Sequence, residues 1–169
     1  MLSKKIEEAL NDQVSKEAYA SSYYLAMASW CEINGLRGCA SFLYEQSDEE
    51  KEHMMKLFRY VNAAGGHARV PALKEPPYNY KSLKDVFETA LDQELSVTKS
   101  INELVELCFK SQDYSSFNFL QWYVAEQHEE ENIFTTILNV FKIAGNDAKS
   151  LLLVDQEVER IRGQEAKAE

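Results

Sequence analysis

Four long segments of the chain place apolar residues at steps of three and four, and this helical period limits the fold more than any other feature. It predicts helices over residues 3–33, 38–64 and 83–110, a fourth from the turn at 111–116 to about residue 144, and a short fifth at about 148–161. Six glycines and three prolines are too few for the turns of a many-stranded β protein. We therefore expect an all-α bundle whose four main helices are each roughly 40 to 46 Å long.

The connections between these segments predict how the helices are joined. Asn34-Gly35 and Gly65-Gly66 end the first two helices, and the Ser82 hydroxyl can cap the third. Residues 65–82 form an 18-residue connection that holds all three prolines and, at roughly 3.3 Å per residue, can span about 60 Å. Because the other connections are short, we expect two antiparallel hairpins joined by one long crossover, a known connectivity of four-helix bundles.

Charge and composition exclude several classes of function. The chain has 18 Lys and Arg against 28 Asp and Glu, a formal charge of −10, which repels nucleic acid and anionic membranes and attracts cations. It has no stretch long enough to span a bilayer and no apolar signal region at its N-terminus, so we expect a cytoplasmic location. Cys31, Cys39 and Cys108 lack metal-ligand spacing and are expected to be buried, reduced thiols.

Polar residues interrupt the apolar stripe of each long helix near its middle. The interruptions are Glu17 in the first helix, Glu50 and His53 in the second, Glu94 in the third, and Gln127 and Glu130 in the fourth. In an antiparallel hairpin, residues equally far from the turn lie at the same height. Glu17 and Glu50 are 50 − 17 = 33 residues apart, as are Glu94 and Gln127 (127 − 94 = 33), and both midpoints fall beside the turns. The six residues are therefore expected in one layer.

A layer of buried carboxylates needs a compensating charge. Isolated buried carboxylates cost several kcal/mol each, and no Lys or Arg occupies these stripe positions. A multivalent cation would supply the charge, and oxygen ligands with one imidazole suit Fe or Mn better than Zn. Glu50 and His53, at i and i+3, can grip one ion, and a Glu between two ions can bridge them. The alternative is a purely structural bundle whose buried acids are protonated or hydrated.

These residues resemble those of the non-haem bacterial ferritins. The likeness covers about residues 1–162, which form the expected domain, and leaves 163–169 as a polar tail. It is strongest at Glu17, at EEKEHM (49–54), at Glu94 and at FNFLQWYVAEQHEEE (117–131). The resemblance implies a ferritin-like four-helix bundle with one long crossover and a short fifth helix.

The resemblance also implies a ferroxidase centre with two irons. One iron would be held by Glu17, Glu50 and His53, and the second by Glu50, Glu94 and Glu130 with Gln127 close by. Tyr24 matches the family's tyrosine beside the centre, and Trp122 matches a nearby tryptophan. A third iron site would use Glu49, Glu126, Glu129 and Glu130. For these outer acids a plain solvated acidic face is the alternative.

The function implied is iron storage. Two Fe(II) ions would each give an electron to O2 (or H2O2 would be the oxidant), and the ferric product would grow as a mineral inside a shell of about 24 identical subunits. The fifth helix, with Leu151, Leu152, Leu153 and Val154, would pack around the four-fold axes, or else fold against its own bundle. We propose that Tyr24 can supply an extra electron.

The chain differs from several related families at positions that matter for function. Bacterioferritins bind haem through a methionine one residue after the helix-two Glu, where this chain has Lys51, and carry a second Glu-x-x-His where it has Gln127 and Glu130. No haem is therefore expected. A DNA-protecting miniferritin would build its iron site between subunits, often with a basic tail, and a rubrerythrin-like peroxidase would normally carry a Cys-x-x-Cys domain that this chain lacks.

Overall fold

A computed structural model describes residues 2–145 and 147–165, and side chains through Arg162. These residues form six helices and no strand. The helices are α1 (Lys4–Ile33), α2 (Arg37–Ala63), α3 (Leu83–Lys110), α4 (Tyr114–Phe119), α5 (Gln121–Ala144) and α6 (Ala148–Glu165). The predicted all-α bundle is confirmed, and the first three helices begin and end within a residue of their predicted bounds. Met1, Asn146 and residues 166–169 of the predicted tail lie outside the described residues.

Local chemistry sets these helix boundaries. The Ser3 Oγ accepts a hydrogen bond from the Ile6 N–H at 3.3 Å, and the Ser82 Oγ accepts one from the Asp85 N–H at 3.1 Å, so both hydroxyls cap helix N-termini. Gly35 follows α1 with a φ of +77°, a left-handed conformation that a Cβ would disfavour. The turn between α1 and α2 is therefore tight enough to make them antiparallel neighbours.

The predicted fourth helix is divided. It begins earlier than predicted, at Tyr114, because the Asp113 carboxylate accepts bonds from the Ser116 N–H at 3.1 Å and the Ser116 hydroxyl at 2.7 Å. At Leu120 the α-helix is interrupted for one residue, where the Tyr123 N–H donates to the Leu120 carbonyl at 3.1 Å in the tighter 3₁₀ pattern. The α-helical hydrogen-bond pattern resumes at once, because the Val124 N–H also bonds to the Leu120 carbonyl.

The core divides into two apolar clusters with the polar layer between them. One cluster contains Tyr24, Met27 and Leu43 with residues of α3, α5 and α6, and the other contains Ile6, Leu10 and their neighbours towards the other end of the bundle. In each long helix the polar interruption falls between residues of the first cluster and residues of the second. Helix α1 packs along α2, and α3 packs along α5. The fold thus encloses the polar layer with apolar packing at both ends.

Helix α6 packs across one end of its own bundle, against α2 and α5. Val154 and Val158 are fully buried in the first cluster, whereas Leu152 and Leu153 are each 59% exposed in the single chain. The Asp155 carboxylate accepts bonds from the Gly38 N–H at 3.1 Å and the Cys39 N–H at 2.8 Å, so α6 supplies the N-terminal cap that α2 lacks in its own sequence. The fold needs this contact because buried N–H groups require partners.

The cysteines are buried and free, as predicted. Burial raises the pKa of the Cys31 thiol to about 12 and that of the Cys108 thiol to about 11, so both remain protonated at neutral pH. Among the described residues, no helix combines the length and apolarity that a bilayer crossing requires.

We expect Asp155→Ala to lower the free energy of unfolding by about 1 to 2 kcal/mol, because two N–H groups at the start of α2 lose their acceptor. Thermal unfolding measures the effect. Gln156→Ala, an exposed position on the same helix, is the matched control. An Asp155→Ala midpoint equal to that of the control would contradict the cap.

Candidate metal centre

Four helices contribute the side chains of the central layer. Helix α1 carries Glu17, α2 carries Glu50 and His53, α3 carries Glu94, and α5 carries Gln127 and Glu130. All six are buried, with exposed fractions between 0% for Glu17 and 6% for His53. The residues predicted for the layer therefore lie inside the bundle, away from bulk water.

Glu17, Glu50 and His53 form the tightest group. One ligand atom from each lies within 4.8 Å of the others, and the His53 Nδ1 is 3.4 Å from the Glu50 Oε2. The Glu17 Oε2, the Glu50 Oε2 and the His53 Nδ1 are buried and have no hydrogen-bond partner. Buried polar atoms in folded proteins normally have one, so three orphaned ligand atoms at one point fit a cation.

Glu94 is held in a different way. The Tyr24 hydroxyl donates to its Oε1, and the Gln127 Nε2 donates to its Oε2 at 3.1 Å. Tyr24 itself is fully buried, stacked on Phe134 with ring centroids 5.8 Å apart. Tyr24 and Gln127, the two residues predicted to lie beside the irons, thus both contact the Glu94 carboxylate.

Burial and mutual repulsion shift the acid–base chemistry of the layer. Burial, reinforced by Glu17, Glu94 and Glu130, raises the pKa of Glu50 well above its usual value. Burial also raises the pKa of Glu94 to about 7, against the opposing hydrogen bonds from Tyr24 and Gln127. Burial lowers the pKa of His53, which favours the neutral imidazole that metals bind. Without a cation, the layer is therefore driven toward protonated carboxyls.

A second group lies on the other side of the His53 ring. Its Nε2 is 3.9 Å from the Glu126 Oε1, and Glu49, His53 and Glu126 also offer ligand atoms within 4.8 Å of one another. Glu49 and Glu126 are half-buried, and the Gln46 Nε2 donates to the Glu49 Oε2 at 3.2 Å. Glu129, predicted for this third site, is exposed and lies outside the group, as does Glu130. The geometry brings His53 into it instead.

Several site neighbours have no role assigned from the sequence. Tyr123 and Trp122 stack at 4.5 Å, each with its ring centroid 5.4 Å from that of His53, and the Lys56 Nζ lies 3.5 Å from the Trp122 ring centroid. Gln13 donates to Glu17. The sequence did hold a signal for the contact of Gln13 with Glu17, because an amide on the apolar stripe lies one helical turn before the Glu. The aromatic contacts could not be predicted in this way, because they depend on packing between α2 and α5.

Comparison with known proteins identifies relatives of nearly full length. Residues 7–144 match the family described as the ferritin-like domain. The chain is 48% identical over 158 residues to a probable bacterial non-heme ferritin-like protein of Haemophilus influenzae, covering 94% of this chain and 96% of the relative. It is 47% identical over 161 residues to the bacterial non-heme ferritin of Campylobacter jejuni, covering 95% and 96%.

Solved structures give the same result. An open-pore ferritin from the archaeon Archaeoglobus fulgidus superimposes with a TM-score of 0.91 at 40% identity, covering 94% of this chain and 96% of the archaeal one. The two proteins are therefore similar in amino-acid sequence as well as in helical architecture.

The raised pKa of Glu94 gives a prediction for the metal-free protein. Because the folded state binds this proton more tightly than the unfolded chain does, the stability it contributes is fully present below about pH 4.5 and is lost as the pH rises through about 7. Glu94→Gln, neutral at every pH, should therefore show a weaker fall in the free energy of unfolding over that range. Urea unfolding at several pH values measures this. An unchanged pH dependence would contradict it, and Glu103→Gln, an exposed position on the same helix, is the control.

Proposed function

This chain belongs to the ferritin-like family, and on that premise we propose that it oxidises Fe(II) at its central layer and stores the ferric product inside an oligomeric shell. The observation that carries the proposal is the set of orphaned, buried ligand atoms of Glu17, Glu50 and His53. A purely structural bundle would gain nothing from carboxylates that repel one another in an apolar interior. The iron here is substrate and cargo.

In the proposed assignment each iron has at least one carboxylate ligand of its own, and the two irons share one further carboxylate. One Fe(II) binds Glu17, Glu50 and His53, and the other binds Glu50, Glu94 and Glu130, with Gln127 alongside. Glu50 is the bridging residue, and this role is supported by its place among the other acids, since Glu17, Glu94 and Glu130 all lie near enough to raise its pKa. Gln127, which donates to Glu94, orients that carboxylate.

The reaction follows from the charge of the site. Each of two Fe(II) ions gives one electron to O2, which takes up two protons and is reduced to the peroxide level. Where H2O2 is the oxidant, two electrons and two protons reduce it to two molecules of water. Carboxylates bind Fe(III) more strongly than Fe(II), because the attraction grows with the charge of the ion, so they favour oxidation. Iron binding displaces protons from Glu50 and Glu94, whose pKa values are raised, and binding therefore weakens as the pH falls.

The outer acids supply a route for the product in this proposal. A third iron site beside the pair would use Glu49 and Glu126, with Glu129 and Glu130 as the other ligands predicted for it. Support comes from the His53 ring, which has Glu50 at one nitrogen and Glu126 at the other. The half-buried position of Glu49 and Glu126 suits an ion in transit between the interior and a mineral surface.

Storage requires an enclosed cavity, and so an oligomer. We propose a shell of about 24 subunits, supported by the ferritin relatives. The exposed Leu152 and Leu153 of α6 would then meet neighbouring subunits at the four-fold axes, while its opposite face packs on its own bundle. The proposal includes a cytoplasmic location and no haem, as the sequence led us to expect.

Glu94→Ala and His53→Ala should each slow rapid Fe(II) oxidation more than about 100-fold. Losing a residue that only hydrogen-bonds to a metal ligand already costs about 10- to 100-fold in metal affinity or activity, and loss of a ligand should cost more. Stopped-flow absorbance after mixing with Fe(II) in air measures the rate. Glu103→Ala, exposed on the same helix as Glu94, should behave as the parent protein. Fast oxidation retained in both site variants, with an intact helical spectrum, would rule out the proposed centre.

Tyr24→Phe should slow repeated cycles of Fe(II) oxidation by several-fold while the first turnover remains fast. The phenyl ring keeps the stacking on Phe134, but the hydroxyl that bonds to Glu94 and could supply an extra electron is lost. Successive additions of about two Fe(II) per subunit, followed by absorbance, separate the first cycle from later ones. Multi-turnover rates equal to those of the parent protein would refute the role of Tyr24.

A further inference from the structure

Glu17 has a hydrogen-bond partner that the proposed chemistry does not use. Gln13, one helical turn earlier on α1 and only 2% exposed, donates its Nε2 to the Glu17 Oε1. The other oxygen of Glu17, Oε2, is buried and has no partner. One oxygen of the carboxylate is thus hydrogen-bonded to an amide and the other is not, in a residue that forms one group of close ligand atoms with Glu50 and His53.

Gln13 is in turn oriented from another helix. The Ser100 hydroxyl on α3, 8% exposed, donates to the Gln13 Oε1 at 2.6 Å. An amide has one accepting and one donating end. Because Ser100 engages the accepting end, the NH₂ group is left to face Glu17. The Val97 carbonyl of the same helix lies 3.0 Å from the hydroxyl and competes for its single proton, but the contact with Gln13 is the shorter of the two.

We propose that Gln13 is a positioning residue that fixes the rotamer of Glu17 so that one carboxylate oxygen is directed at the metal, and that Ser100 sets the orientation of Gln13. The proposal rests on the metal binding proposed above. A neutral amide suits this task, because it restrains the carboxylate without cancelling the negative charge that attracts the ion. A Lys or Arg at the same place would compete with the cation for that charge.

Glu17 and Glu94, each proposed to hold one ion, are restrained by different numbers of hydrogen bonds. This difference gives the proposal a specific consequence. Glu94 accepts hydrogen bonds on both oxygens, from Tyr24 and Gln127. Glu17 accepts one from Gln13 on a single oxygen. Loss of Gln13 should therefore weaken the ion held by Glu17 and leave the ion held by Glu94 nearly unchanged.

The test uses Co(II), whose visible absorption reports each bound ion, added to the assembled metal-free protein. For Gln13→Leu, which keeps similar bulk but cannot donate, we expect one of the two Co(II) ions of the central layer to bind about 10- to 100-fold more weakly and the other to bind as before. Ser100→Ala should weaken the same ion by a smaller factor, and Ser100→Thr, which keeps the hydroxyl, should restore it.

Controls separate positioning from general stability. Ser96→Ala, an exposed serine one turn away on α3, should bind both ions as the parent protein does. Unchanged Co(II) affinities in Gln13→Leu, or equal weakening of both ions with a lowered unfolding midpoint, would overturn the inference. If Gln13→Leu fails to assemble, identical affinities in Ser100→Ala and Ser100→Thr would overturn it. Absence of Co(II) binding to the parent protein would overturn the proposed centre itself, and the inference with it.

Discussion

Carboxylates packed inside an apolar bundle repel one another and lack the water that would solvate them, and the rest of the structure accommodates this conflict. Burial and mutual repulsion raise the pKa values of Glu50 and Glu94. An uncompensated buried charge costs several kcal/mol, which is a large part of the net stability of a domain. The apolar clusters on either side of the layer supply the burial energy that lets the fold tolerate it.

The same layer explains why the bundle needs long helices and restrained ends. Polar side chains from four helices meet only if both hairpins hold their partners at one height, and packing beyond the layer maintains that alignment. The Asp155 cap ties α6 to the start of α2, and the Ser100–Gln13 contact ties α3 to α1. These polar contacts between helices fix rotation and sliding, which apolar packing alone controls less strictly.

Much of this architecture could be predicted because it depends on periodicity. The helical stripe, the equal spacing of Glu17 to Glu50 and of Glu94 to Gln127, and the Ser82 cap are properties of positions along the chain. The lapse in the helix at Leu120 and the cap from Asp155 are not. The first is a local change of hydrogen bonding that no residue type signals, and the second joins residues 117 positions apart through packing.

The position of the His53 ring shows where prediction from spacing stops. Its i, i+3 relation to Glu50 places both residues on one face of α2, but does not say which ring nitrogen faces Glu50 and which faces α5. The spacing leaves that choice open, and in the folded chain the rings of Trp122 and Tyr123 pack against the imidazole from α5. With Nδ1 toward Glu50 and Nε2 toward Glu126, one imidazole adjoins both candidate groups. The inner and outer acids therefore both lie beside one side chain, whose contacts depend on packing between α2 and α5.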